Sequence, residues 1–449
     1  MDDFLFNEFS TVSPAAWKQK IQVDLKGADY NDSLIWKSNE GIDVKPFYTS
    51  EDRHNNNVCL PKDGYKICQS IFVGDVIIAN KIAVDSLERG ATAIQFIAKN
   101  TFDYIVLFDK IDTKQTHIYL NFEFLDAAFI SEIEKYCKGN FIYFQIDIIG
   151  NLGKTGNWFS NLNADISEKA KFIHTVTNSI CVDASLYQNA GATIIQELAY
   201  ALAHTNEYLE LFGESIALKI HYIFSIGSNY FFEIAKLRAF RILVEVLLKE
   251  RGIQHTTIHI FTKPSLRNKT IFDYNVNMLR TTSECMSAIL GGSDTISNIS
   301  YDSIYHKSNE FGERIARNQL LILKEEAYLS EAHKFANGAY YIENTEKQFA
   351  EKALQLFKQI EKNGGFLKQL KKGTIQNKIS ENAGKQQELF DQNELILLGT
   401  NKLPSQNDRM KNELQIYPFL KKKNSKTLIV PILQRRLSEQ HEQNRLKME

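Results

Sequence analysis

KICQSIFVGDVIIANKIAVDSLERGATAIQFIAKN, from Lys66 to Asn100, decides the fold. KICQSIFV is a short apolar run of strand character. DVIIANKIAVDSLERG has helical spacing and closes on a glycine, Gly90. ATAIQFIAK is a second strand-like run. Strand, helix, strand in so short a span is a βαβ unit, and its two strands lie parallel. The period then repeats along the chain. FDYIVLFDK (Phe102 to Lys110) reads as helix and THIYLNFE (Thr116 to Glu123) as strand. LDAAFISEIEKYCKG has helical period and stops at Gly139. FIYFQIDII (Phe141 to Ile149) is strongly β-prone over its whole length. SICVDAS, KIHYIFSIG and TTIHIFTK follow, each before a helix-like segment. A short strand near Thr295 to Ser300 leads into a helix from Glu310 to Tyr328.

Strand then helix, about eight times, predicts an α/β fold of the (β/α)8 TIM type. The strands are apolar enough to be covered on both faces, as parallel strands must be. An open doubly wound sheet is the other architecture with this alternation. It calls for a Gly-rich dinucleotide fingerprint after the first strand, and none is present. Three regions are expected. Residues 1–60 form an extended arm, opened by a short helix at Ser13-Pro14 and punctuated by Gly41 and Pro46. It can lie on a partner or on its own barrel. Residues 61–404 form the barrel and following helices, including a helix from Glu346 to Lys362. Residues 405–449 form a tail without a cofactor-binding domain, in which FLKKKNSK and LSEQHEQNRLKME read as solvated.

The chain has 449 residues, is 43% hydrophobic and carries a formal charge of -1. That is enough chain for a large core, and it offers no global attraction to nucleic acid or anionic membrane. Cys59, Cys68, Cys137, Cys181 and Cys285 are dispersed, which reads as buried thiols in a reducing compartment. The opening MDDFLFNEFS lacks a basic start and apolar core, and no apolar run is long enough to span a bilayer. A cytoplasmic protein is expected.

GNLGKT, Gly150 to Thr155, ends like a P-loop. Ile148 stands where the first glycine of that motif belongs, so it reads as a Gly-rich loop after a strand, with Lys154 as a weak anion contact. Gln145, Asp147, Asp183, His221 and His259 fall on strand runs. They can converge as acid, base or orienting groups, or serve as hydrogen-bonded core residues. No spacing suits a metal, and no nucleophile elbow is present.

Blocks in order resemble the small, β-type subunit of methylmalonyl-CoA mutase. They include EGIDVKPFYTSED (Glu40 to Asp52), QNAGATIIQELAYALAHTNEYLELFG (Gln188 to Gly213), FFEIAKLRAFRIL, VNMLRTT and RIARNQLLILKEEAYL. The resemblance runs from Trp17 to about Pro404 and implies a (β/α) barrel within an adenosylcobalamin-dependent radical isomerase of acyl-CoA. Catalytic chains of that family carry a carbonyl-donor histidine before the Ala-Gly-Ala segment. Aligned on Ala190-Gly191-Ala192, that position is Leu186. They also carry a substrate-clamping arginine on the preceding barrel segment, yet no arginine lies between Arg89 and Arg238. An Arg-Pro-Trp segment is missing. The cobalt-ligating Asp-x-His-x-x-Gly has its nearest likeness in Asp52-Arg53-His54, with Asn57 in place of glycine, and too few residues follow Pro404 for a cobalamin domain.

The resemblance therefore implies a small subunit with no catalytic, cofactor-binding or metal residue of its own. It would support a catalytic α-type partner that holds both adenosylcobalamin and acyl-CoA, and the isolated chain would be inactive. Two other readings stand beside it. One is a catalytic acyl-CoA barrel that borrows a separate cobalamin chain. The other is a repurposed barrel that binds another anion. A dense interior, filled by residues such as Phe96, Tyr119, Phe144 and Phe224, favours the first reading.

Overall fold

The computed structural model describes residues 8–53, 58–137, 141–254, 257–420 and 426–449. Its eight barrel strands fall on the eight predicted runs, the seventh running one residue past its run, to Pro264. They are β1 (Lys66–Phe72), β2 (Ala93–Ala98), β3 (His117–Phe122), β4 (Ile142–Phe144), β5 (Ile180–Asp183), β6 (Ile220–Ile226), β7 (His259–Pro264) and β8 (Thr295–Ile296). Neighbours pair in parallel in the order β4-β3-β2-β1-β8-β7-β6-β5. The chain is a (β/α)8 barrel with one seam, between β4 and β5.

Alternation along each strand splits its side chains between axis and helices. The outward residues of β1–β4, among them Ile94, Phe96, Ile118, Leu120 and Phe144, pack with Ala79, Ala83, Leu107 and Ile130 of the surrounding helices. Those of β5–β8, such as Val182, Tyr222, Phe224 and Ile260, join a larger core with the helices Ile194–Phe212 and Tyr230–Glu250. Of the four residues expected inside the barrel, Tyr119 faces the axis, and Phe96, Phe144 and Phe224 face the helices. The strand register decides this: Tyr119 pairs with Gln95 and Tyr143, whereas Phe96 pairs with Ile71 and Leu120.

The β-prone run Phe141 to Ile149 is a strand only through Phe144. Its second half turns into the helix Ile148–Thr155, capped by Asp147, whose carboxylate accepts from the Gly150 amide at 2.7 Å. GNLGKT thus lies within this helix, not on a loop. An N-cap aspartate overrode the β-propensity of three isoleucines.

The arm packs on its own barrel from Tyr30 to Asp52. A two-stranded ribbon, Trp36–Lys37 against Asp43–Val44, brings Ile42 into the main core. Trp36 stacks on Phe232 at 5.4 Å, and Tyr48 meets Tyr341. The preceding helix, Pro14–Asp24, is capped by Ser13 and buries none of its residues; Trp17 is 51% exposed.

Glu40 of the arm caps the helix Ile194–Phe212 by accepting from the Ile194 amide. Its carboxyl is pushed up to about 7 by burial and by Glu233, against the pull of that amide and of Lys236. The folded chain therefore holds a proton on Glu40 that the unfolded chain releases near its ordinary value. This contribution is complete at low pH and is lost as pH rises toward 7. Glu40→Gln keeps the acceptor without the charge. Its melting temperature relative to the parent is expected to climb by roughly 2 °C between pH 5 and 8. A difference that stays constant across that range contradicts the assignment.

After the barrel, the helix Tyr340–Lys362 lies on the helices Ile194–Phe212 and Tyr230–Glu250. There the buried Arg238 pairs with Glu346 at 2.6 Å. The tail is not solvated as its composition suggested. Leu437, Ser438, Glu439 and Glu442 are buried. Residues 421–425 of FLKKKNSK lie outside the described residues.

Candidate functional site

Barrel active sites form where strands end and βα loops begin, above the axis. In this chain the axis is filled below that level. Cys68, Ala93, Tyr119, Tyr143, Cys181, Ile223 and Phe261 form one buried cluster on it. Tyr143 stacks on Tyr119 at 4.8 Å and on His259 at 4.3 Å, and meets His221 edge-on. The Tyr119 hydroxyl bonds Nε2 of His259 at 2.8 Å and Oγ1 of Thr295 at 2.6 Å. Burial lowers the proton affinity of both His221 and His259, so they serve as neutral rings. His221 is buried, and neither of its nitrogens has a hydrogen-bond partner among the described residues.

Toward the C-terminal strand ends a polar network closes the axis. The Ser70 hydroxyl donates to Gln95 and meets Ser297 at 2.8 Å. Nζ of Lys263 donates to Oε1 of Gln95 at 2.6 Å, and the Gln95 amide donates to Gln145. Asp183 ends β5 and accepts from the amide and hydroxyl of Ser185. Its carboxyl is raised by burial, against the pull of Lys154 and Lys263. These side chains bond one another, which is a core's solution to buried polar groups.

The predicted site residues therefore separate. His221 and His259 sit on the axis among tyrosines, and Gln145 and Asp183 sit above them. Asp147 belongs to the seam. Its carboxylate accepts from the Asp183 amide at 3.0 Å, bridging the strands that share no ladder, and from the Tyr208 hydroxyl at 2.7 Å. Nε2 of His204 lies 3.1 Å from it. Burial alone would push this carboxyl up; the His204 ring, the Asp183 amide and the Tyr208 hydroxyl outweigh it and leave it below its ordinary value. The buried Lys169, on the helix Leu162–Ala170, donates to the Ile146 carbonyl at 2.7 Å. Lys154 is exposed on the helix after β4.

Leu186, where the resemblance places a donor histidine, is buried in the main core, in reach of Gly153. It offers no hydrogen bond to anything above the axis. Sequence reading named His259 but missed Thr295, Tyr143, Gln95, Lys263, Lys169 and His204. Strand positions two apart share a face, so pairs such as Cys68/Ser70 and Phe261/Lys263, each ending in a polar side chain, were the available signal.

The C-terminal segment crosses the loops that follow β4, β5 and β7. Ile432 donates to Gly153, Leu428 and Ile429 to Gly156, Arg435 to Asn189, and Leu437 to Arg267. A Cβ on Gly156 would stand 2.7 Å from the Ile429 carbonyl, and its φ of +80° also demands glycine. The chain's own tail thus lies across the segments that follow three of the eight strands. Asp52 caps its own short turn and pairs with Lys45; His54 and Asn57 lie outside the described residues. In the tail, His441 stands beside Asp391 on the surface.

Four cysteines are buried and Cys59 is exposed, so the expectation of five buried thiols fails there. Among the described residues, no helix is long and apolar enough to cross a membrane.

The family model for methylmalonyl-CoA mutase matches residues 143–448. The chain is 34% identical to a methylmalonyl-CoA mutase small subunit of Porphyromonas gingivalis, over 89% of this chain and 71% of that one. It is 34% identical to a methylmalonyl-CoA mutase of Rhizobium meliloti, over 56% of this chain and 37% of the relative. It is 30% identical to a methylmalonyl-CoA mutase large subunit of Porphyromonas gingivalis, over 53% of this chain and 35% of the relative. It spans little more than a third of the length of these longer relatives. On both the extent of the family match and the coverage of the small subunit, this chain belongs to the methylmalonyl-CoA mutase family.

Proposed function

We propose that this chain is the small, non-catalytic subunit of an adenosylcobalamin-dependent methylmalonyl-CoA mutase. It lends shape and surface to a longer catalytic partner, which holds the corrinoid and the acyl-CoA. The observation that carries this reading is the axis. Tyr119, Tyr143 and Phe261 occupy the space a thioester arm would need, and Leu186 supplies no donor to a carbonyl. Removing one such donor typically costs a hundred- to a thousandfold in rate. That small and large subunits both occur in Porphyromonas gingivalis supports the pairing. A catalytic barrel borrowing a separate cobalamin chain would need that filled axis to open.

The helix Pro14–Asp24 is the proposed partner contact, since Trp17 and Val23 are exposed on it and Phe9 and Val12 just before it. Co-expression with a longer large-subunit homologue tests both parts. The two chains are expected to co-purify, with the corrinoid spectrum following the partner. Deletion of residues 1–29 is expected to weaken the pairing about tenfold or more, since several apolar anchors leave the interface together. Corrinoid retained by this chain alone contradicts the assignment, and pairing unchanged by the deletion removes the arm from it.

A further inference from the structure

The buried arginine Arg267 lies on the loop after β7. It is 7% exposed, yet among the described residues no carboxylate lies within ion-pair distance of it. The other buried guanidinium of this region, Arg436, pairs with Glu442 at 2.6 Å. Arg267 has neutral partners instead. Its Nε donates to Oε1 of Gln386 at 2.7 Å, and its Nη1 donates to the Arg435 carbonyl at 2.9 Å. Two of its five N–H donors are thus used, both on uncharged oxygens. Burial and the nearby Arg435 lower its proton affinity to about 10, with Glu439 opposing them. With Arg435 nearby, two guanidiniums place a concentrated positive charge at this point.

Arg267 and Arg435 both line a cleft of about 380 Å³ between the helix Thr374–Asp391 and the tail segment 430–435. The lining contains no aspartate or glutamate. Its walls are largely apolar, with Ile379, Ala383, Pro431 and Leu433 among them. Glu439, whose charge acts on Arg267, lines an adjoining cavity that Arg267 and Arg435 also reach, and it already accepts from the Arg436 and Leu420 amides. The site is kept open by small residues. A Cβ on Gly191 would stand 3.0 Å from the Arg267 Cζ, and Gly384 has nothing within 4 Å of its Cβ position. An apolar cleft of this size with a few convergent polar groups at one end is the usual form of a small-molecule site. Guanidinium pairs match carboxylate and phosphate oxygens bidentately.

We propose that this cleft binds a small organic anion: a carboxylate or phosphate head seated between Arg267 and Arg435, with a short apolar body against Ile379, Pro431 and Leu433. The site is separate from the axis and from Lys154. Because the cleft floor is the docked tail, a bound anion would tie the tail to the helix Thr374–Asp391.

Calorimetric titration of the full chain with hexanoate, hexyl phosphate, inorganic phosphate and hexanol tests this. One of the two six-carbon anions is expected to bind about tenfold or more tightly than both hexanol and inorganic phosphate. Which of the two binds better assigns the head group. Gly384→Leu fills the cleft where there is free space, and is expected to abolish binding with an unchanged melting temperature. Arg435→Gln, at an exposed side chain, is expected to weaken it about tenfold. Arg267→Gln adds to this if it folds; the other two variants decide without it. No saturable binding of either anion, equal binding of hexanol, equal binding of inorganic phosphate, or indifference to Gly384→Leu overturns the proposal.

Discussion

Asp147→Ala is expected to destabilise the chain by about 4 kcal/mol, read as a fall in the urea midpoint with an unchanged slope. The barrel ladder is interrupted between β4 and β5, where the Asp147 carboxylate bridges the gap beside the bonds that Asn178 makes with Phe144 and Ile142. It accepts from the Asp183 amide on the far strand, from the Gly150 amide of its own helix and from the Tyr208 hydroxyl. It also faces the His204 ring and the charge of the buried Lys169. Truncation leaves three buried donors unmatched and removes the carboxylate whose charge faces the buried Lys169. Asp147→Asn keeps an acceptor but no charge, and falls between the two. A loss below about 1 kcal/mol for the alanine variant would mean the seam is held without this carboxylate.

Arg436→Met is expected to cost about 3–5 kcal/mol and to free the tail. The Arg436 guanidinium forks onto both oxygens of Glu442 and also donates to the Lys269 carbonyl and the Ser438 hydroxyl. Glu442 in turn accepts from the Ile271 amide at 2.9 Å. Both side chains are buried, so removing one strands the other's charge. Pairing the change with Glu442→Leu is expected to recover most of the loss, because an apolar pair of similar volume needs no compensation. Hydrogen exchange at Ile429, Ile432 and Leu437, whose amides bond the loops after the strands, reads the release directly. Protection unchanged in Arg436→Met would show that the tail is anchored elsewhere.

The strands and helices were legible because parallel strands are apolar throughout and helices repeat at their own period. Eight runs were found and eight strands pair. What escaped was local or long-range. The run Phe141 to Ile149 looked like one strand, since propensity is summed over a window and the Asp147 cap acts at one position. The tail looked solvated because Arg436, Glu439 and Glu442 are charged; their mutual burial depends on loops more than a hundred residues away. Facing was also hidden. Phe96 and Tyr119 both sit mid-strand, and the register alone sends one outward and the other to the axis. Leu186 was legible from the resemblance, since a single aligned position decides whether a donor exists. The Arg267 cleft was not, because its two arginines are far apart in sequence and meet through the tail.

Rearrangement of methylmalonyl-CoA to succinyl-CoA, assayed with free adenosylcobalamin, separates supporting barrel from enzyme. The isolated full-length chain is expected to show no turnover above the protein-free blank, while the same chain mixed with its longer homologue turns over. Sustained turnover by the isolated chain would contradict a plugged axis and the whole account with it.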